Sequence, residues 1–252
     1  MITWALEVEY DGTPFMGWQR QKHGLAVQQV MEEAGARLCG GATPAATASG
    51  RTDAGVHALG QIVQMDLPAF SPSRLREALN YHFKPHPVVV LRAAPAPEGW
   101  NARFSALWRS YRYIISNRSA FAALELNRVW HVKHRLDEAA MQRAANALLG
   151  HHDFSSFRAS ACQAKSPLRT LDSLTVRREG DHLIIEAKAR SFLHHQVRNM
   201  VGSLKMVGEG AWPESRVAEV LSAKNRAVAG PTAPAEGLYF VNVGYAPDLA
   251  LE

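Results

Sequence analysis

The chain has 252 residues, 47% of them hydrophobic, enough for one large domain or two ordinary ones with a real core, which excludes a disordered chain. Lys and Arg number 28 against 23 for Asp and Glu, a formal net charge of +5 with a pI near 9.4, a balance that suits a polyanionic partner. Two cysteines, Cys39 and Cys162, exclude a disulfide framework, and no apolar run approaches the ~20 residues of a membrane span.

Residues 3 to 10 alternate, with Trp4, Leu6, Val8 and Tyr10 on one face, and so predict a half-buried strand ended by Asp11-Gly12. Phe15 and Trp18 in the following YDGTPFMGWQ read as core. From Leu25 to Leu38 the positions Val27, Val30, Met31, Ala34 and Leu38 have helical spacing, stopped by Gly40-Gly41, with Cys39 on a buried helix face. Thr47 to Ser49 supplies a short extended stretch leading into a glycine-flanked loop, Gln61 to Leu67 reads as a strand, Ser71-Pro72 as the cap and first turn of a helix to about His82, and Val88 to Leu91 as a strand. Strand, helix, strand, strand, helix, strand is the order of a ferredoxin-like unit.

The remainder reads in nearly the same way. Trp108 to Ser116 is a strand; Asp137 caps a helix carrying Met141, Ala144, Ala145, Leu148 and Leu149, closed by Gly150; Leu171 to Arg177 and Leu183 to Ala189 form a hairpin around Gly180-Asp181. A helix over Val197 to Val207 carries Arg198, Gly202 and Lys205 on a stripe apart from its apolar one. A short helix at Val217 to Lys224 and a strand at Tyr239 to Tyr245 complete the chain. The expected fold is α+β, two similar ferredoxin-like halves, residues 1–100 and 101–252, with mixed, mainly antiparallel sheets flanking a central basic cleft.

Chemistry concentrates in Gly50 to Gln61, GRTDAGVHALGQ, where Asp53 sits between Gly50 and Gly55 with Arg51 two residues away. On local composition alone this is equally a turn with a backbone-bonded Asp. Between Arg103 and Arg118 the cations Arg103, Arg109, Arg112 and Arg118 alternate with Phe104, Trp108, Tyr111 and Tyr113, a composition suited to bases and phosphates. The pairs His151-His152 and His194-His195 lack structural-zinc spacing, so no metal is expected. Dinucleotide and phosphate-loop glycine motifs are absent.

The segment GRTDAGVHALGQ resembles the catalytic segment of the TruA-type tRNA pseudouridine synthases. YDGTPFMGWQ at Tyr10 to Gln19, RSYRY around Tyr111 and Tyr113, FLHHQVRNMVG up to Gly202, and PAEGL at Pro234 to Leu238 resemble further segments of that family in the same order. The resemblance implies conversion of uridine to pseudouridine at positions 38, 39 and 40 in the anticodon stem-loop of tRNA, in the cytoplasm, by a homodimer without cofactor. It implies Asp53 as nucleophile, with Arg198 as its cationic partner and Arg51 steering RNA. Period-two spacing leaves Tyr111 and Tyr113 equivalent; the family match selects Tyr111 as the ring stacking on the target base. Leu238 is implied as an apolar wall of the uracil pocket, and His57 as a structural or RNA-contacting residue.

Two other functions compete with that reading. A catalytically silent RNA-binding or RNA-folding protein would keep the basic surface but has no need of Asp53, Tyr111 and Arg198 together. A glycosidase-like hydrolase needs a second carboxylate across the bond, and none is evident.

Overall fold

The computed structural model describes residues 1–246 and divides into two compact units. The first comprises Met1–Arg109 and the chain from Tyr239 onward, the second Ser110–Leu238. The division therefore falls nine residues after the boundary read from the sequence, and the last strand belongs to the first unit rather than closing the second.

In the first unit, β1 (Ile2–Tyr10), α1 (Val27–Leu38), β2 (Thr47–Ala48), β3 (His57–Leu67), α2 (Pro72–Phe83) and β4 (Val88–Pro95) follow the order expected. β1 lies between β4 and β3, antiparallel to both, and β2 pairs antiparallel with β3. That is the strand order of a ferredoxin-like sheet. β10 (Leu238–Gly244) pairs parallel with the start of β3, through Tyr239 with His57 and Phe240 with Ala58.

The apolar stripes seat both helices. Val27, Val30, Met31 and Ala34 of α1 are buried, as are Leu75, Leu79 and Phe83 of α2 at four-residue intervals. Pro72 occupies the first helical turn, but Ser71 makes no side-chain capping bond. Cys39 is the half-buried residue capping the C-terminus of α1, off the buried face expected for it.

The second unit contains β5 (Trp108–Ser116, entering from the first unit), β6 (Trp130–His131), α3 (Glu138–Asn146), β7 (Gly150–Asp153), β8 (Leu168–Glu179), β9 (His182–Ala189), α4 (Gln196–Gly208) and α5 (Ser215–Ala223). Its strands run β5-β9-β8-β7, with β6 parallel to the end of β5. A strand, a helix, a hairpin whose second strand neighbours the first strand, then a helix: the second unit repeats the plan of the first. The Asp137 carboxylate caps α3 by accepting the Ala140 N–H at 2.9 Å. α3 stops at Asn146, so Leu149 lies outside it and is exposed.

Helix α4 is held against the chain that follows α5. A Cβ on Gly202 would lie 1.7 Å from the carbonyl oxygen of Pro231, so this residue marks a close backbone crossing instead of the polar stripe read from spacing. Ser203 Oγ accepts the Gly230 N–H at 3.0 Å, and Asn199 Oδ1 takes bonds from Thr232 Oγ1 and Arg226.

Candidate active site

Each unit brings together segments that are far apart in sequence. In the first, the chain leaving β1 straps the Asp53 loop. The Tyr10 hydroxyl lies 2.8 Å from Thr52 Oγ1; the Trp18 N–H donates to the Thr52 carbonyl at 3.0 Å and the Gly55 N–H to the Phe15 carbonyl at 3.3 Å. Phe15 and Trp18 are buried, as expected, so the strap is anchored by its own aromatics.

Asp53 opens a four-residue turn closed by the Val56 N–H donating to its carbonyl at 3.2 Å. The third residue of that turn is Gly55, with φ of 77°, a conformation a side chain resists. Gly50 does not share it: no left-handed φ occurs there, and its backbone is bound to Gln61 instead. Gln61, fully buried, donates to the Gly50 carbonyl at 2.6 Å while its Oε1 accepts from the Gly50 N–H and the Ser49 hydroxyl. Both ends of the loop are thus fixed, and Asp53 itself stays half-buried.

His57 is 2% exposed at the start of β3. Its ring stacks on Tyr239 with centroids 4.7 Å apart, and Nδ1 lies within reach of both the Gly12 N–H and Asp11 Oδ1. With no proton on Nδ1 the ring accepts from Gly12; with one there it donates to Asp11. Burial pushes the Tyr10 hydroxyl up to about 12, against the opposing effect of its bonds to Thr52 and Gln61, so it remains a neutral hydroxyl throughout the physiological range. Arg51 is exposed beside this loop.

Arg109 is a residue whose role the sequence disguised. Among the cations grouped by composition it is 8% exposed, and its guanidinium donates to the Ser49 carbonyl at 2.9 and 3.2 Å and to the carbonyls of Ala106 and Arg103. It fastens the entry of the Asp53 loop and is not open to a phosphate.

In the second unit three segments converge. The Arg198 Nε donates to the Ala233 carbonyl at 2.8 Å, and the Ala233 N–H returns a bond to the Arg198 carbonyl at 3.1 Å. The residues after Ala233 run over β5, where the Tyr113 hydroxyl donates to the Pro234 carbonyl at 2.8 Å. Tyr113 is fully buried and its hydroxyl pushed strongly up by that burial. Tyr111, two residues earlier, is half-buried, its ring meeting Phe192 edge-on at 5.1 Å. Of the two tyrosines, Tyr113 is core and Tyr111 is the partly exposed ring.

Leu238, 5% exposed, ends this segment and begins β10. Arg112, from the same composition cluster, is paired with Glu186 on β9 at 2.8 Å. His151 and His152 on β7 serve local bonding, to Thr170 Oγ1 at 3.0 Å and to the Leu149 carbonyl at 2.6 Å.

Comparison with known proteins matches residues 7–105 and 144–246 to the family model described as tRNA pseudouridine synthase. Curated relatives align along nearly the whole chain. One named tRNA pseudouridine synthase A, from Acidiphilium cryptum, is 61% identical over 98% of both chains. Its namesakes from Rhodospirillum centenum and Gluconobacter oxydans are 56% and 53% identical, over 97% of this chain and 100% and 90% of theirs.

Proposed function

The chain belongs to the tRNA pseudouridine synthase family, and we propose that it isomerises uridine to pseudouridine at positions 38, 39 and 40 of the tRNA anticodon stem-loop, with Asp53 as nucleophile. The reaction breaks the ribose-to-uracil bond, turns the base and rejoins it through carbon, so no atom is gained or lost. The Asp53 carboxylate attacks either the ribose anomeric carbon, displacing the uracil, which turns unattached in the site, or the uracil ring, where the new bond holds the base while its bond to ribose breaks and it turns. The carboxylate is released once the base has rejoined the ribose through carbon. Target bases in a stem-loop are stacked or paired, so exposing one costs a few kcal/mol.

In this reading Tyr111 stacks on the base and takes part in removing the proton from the carbon that becomes bonded. Arg198 is the cationic partner of the attacking acid, Arg51 steers the RNA and holds the displaced nucleotide, and Leu238 is an apolar wall for uracil. His57 supports the Asp53 loop from behind. The protein acts in the cytoplasm as a homodimer, one tRNA touching both subunits; among the described residues no helix is long and apolar enough to cross a membrane.

The observation that carries the reading is the strapping of the Asp53 turn by the Tyr10–Gln19 segment. Both of its ends are fixed by buried bonds, while the carboxylate stays at the boundary with solvent. The test is Asp53→Asn assayed on unmodified tRNA. Conversion is abolished and tRNA affinity is held within a few-fold; full activity in that variant overturns the mechanism. A wild-type protein that binds tRNA and never forms pseudouridine supports the silent RNA-binding reading instead.

A further inference from the structure

The basic and aromatic residues between Arg103 and Arg118 do not form one surface. Arg109 and Tyr113 are core and Arg112 is occupied by Glu186, whereas Phe104 is 78% exposed, with the guanidinium of Arg103 over its ring at 5.6 Å from the centroid. A single exposed phenylalanine needs no explanation. The chain that carries this one is bound at each step.

Asn101 Oδ1 accepts the N–H groups of both Arg103 and Phe104, each at 3.0 Å, and the Asn101 N–H donates to Ser105 Oγ at 3.0 Å. Ala102 is fully buried; its N–H donates to Gln64 Oε1 at 3.0 Å and its carbonyl accepts the Tyr245 hydroxyl at 2.6 Å. The Arg103 carbonyl accepts from Arg109, the same guanidinium that holds Ser49 at the entry of the Asp53 loop. The turn that displays Phe104 and the loop that displays Asp53 are therefore fastened to one buried group, within one unit. A rigid aromatic beside a cation loses little freedom when a planar ligand stacks on it.

We infer that Arg103 and Phe104 form a nucleotide-binding site for an unpaired base of the tRNA, in fixed register with Asp53. The Phe104 ring stacks on the base and the Arg103 guanidinium meets the adjoining phosphate. The inference rests on the proposed function, since it takes the RNA to be the one whose uridine is converted.

The test uses the full chain with unmodified tRNA, measuring pseudouridine formed and tRNA affinity at several salt concentrations. Phe104→Ala raises KM and Kd by roughly 5- to 150-fold, the range that loss of one base stack produces. It leaves kcat and the melting temperature unchanged, because stacking is equal in the ground and transition states and the side chain is exposed. Phe104→Trp restores binding, and Arg103→Gln lowers the salt slope of binding by about one contact. Wild-type KM and Kd in Phe104→Ala, or a Trp variant as weak as the Ala one, overturns the site. RNA binding that depends on Phe104 in a protein that forms no pseudouridine overturns the proposed isomerase function and leaves the site standing.

Discussion

The Tyr10 hydroxyl and Thr52 Oγ1 lie 2.8 Å apart, both buried, so the last residue of β1 is bonded to the residue preceding Asp53. Tyr10→Phe removes that bond and leaves the Thr52 hydroxyl without it, costing about 1–3 kcal/mol of stability. If the strap sets the position of Asp53, turnover at saturating tRNA falls on the order of tenfold while KM holds. Thermal unfolding and steady-state kinetics read the two effects separately, and unchanged turnover shows that the remaining bonds suffice.

Alkaline pH tests the same tyrosine by another route. Its hydroxyl is raised from 10.0 to about 12 by burial, so the folded state holds a proton that the unfolded state loses first. The resulting stability is fully present below pH 10 and disappears as pH rises through about 12, a loss of ~3 kcal/mol across that window. Burial also pushes up Tyr113 and Tyr245, which add slope in the same direction. Denaturant titrations at stepped pH read the slope, and Tyr10→Phe reduces it by one proton's share.

Arg198 is anchored through Nε to the Ala233 carbonyl. Arg198→Ala loses about 10²- to 10³-fold in turnover, the magnitude of removing one charge-stabilising donor from a reaction centre. Lysine keeps the charge without the planar fork, so Arg198→Lys recovers only part of the rate. Normal turnover with weakened tRNA binding moves Arg198 from chemistry to RNA contact.

Gly202→Ala places a methyl group 1.7 Å from the Pro231 oxygen, and backbone must shift to admit it. The expected cost is about 1–3 kcal/mol or more, read as a lower melting temperature. Because Pro231 lies two residues before Ala233, the displacement also disturbs the Arg198 anchor and turnover falls further than stability alone explains. A variant with full activity and a wild-type melting temperature refutes the close crossing.

Periodicity was a good guide wherever an element has a dry face. Val27, Val30, Met31 and Ala34 of α1 are buried at the expected spacing, although Leu38 is only half-buried and Glu32 and Gly35 are buried beside them; the apolar stripe of α4 lies where spacing places it, and β5 has the bounds its alternation implies. β7 has no legible signal because four residues, two of them histidine, carry no period, and β3 begins four residues before the expected Gln61 because His57 and Gly60 interrupt the apolar run. The burial of Arg109 depends on a carbonyl 60 residues away, which no local pattern contains. The same holds for Tyr113, covered by a segment 121 residues further on. The motifs name the segments, but only the fold shows that those around Tyr10 and Asp53 make one structure, and those around Tyr111, Arg198 and Pro234 another.

The return of β10 to the first unit sets an order of assembly. The second unit is one uninterrupted stretch, Ser110–Leu238, whereas the unit bearing Asp53 lacks a strand until residues 239 to 244 have been made. Tyr239, whose ring backs His57, and Tyr245, whose hydroxyl holds the Ala102 carbonyl, are both supplied by that late stretch. On a growing chain the contiguous unit is the first able to complete itself. The braces behind the Asp53 loop come last, which makes β10 a timer on the enzyme's competence.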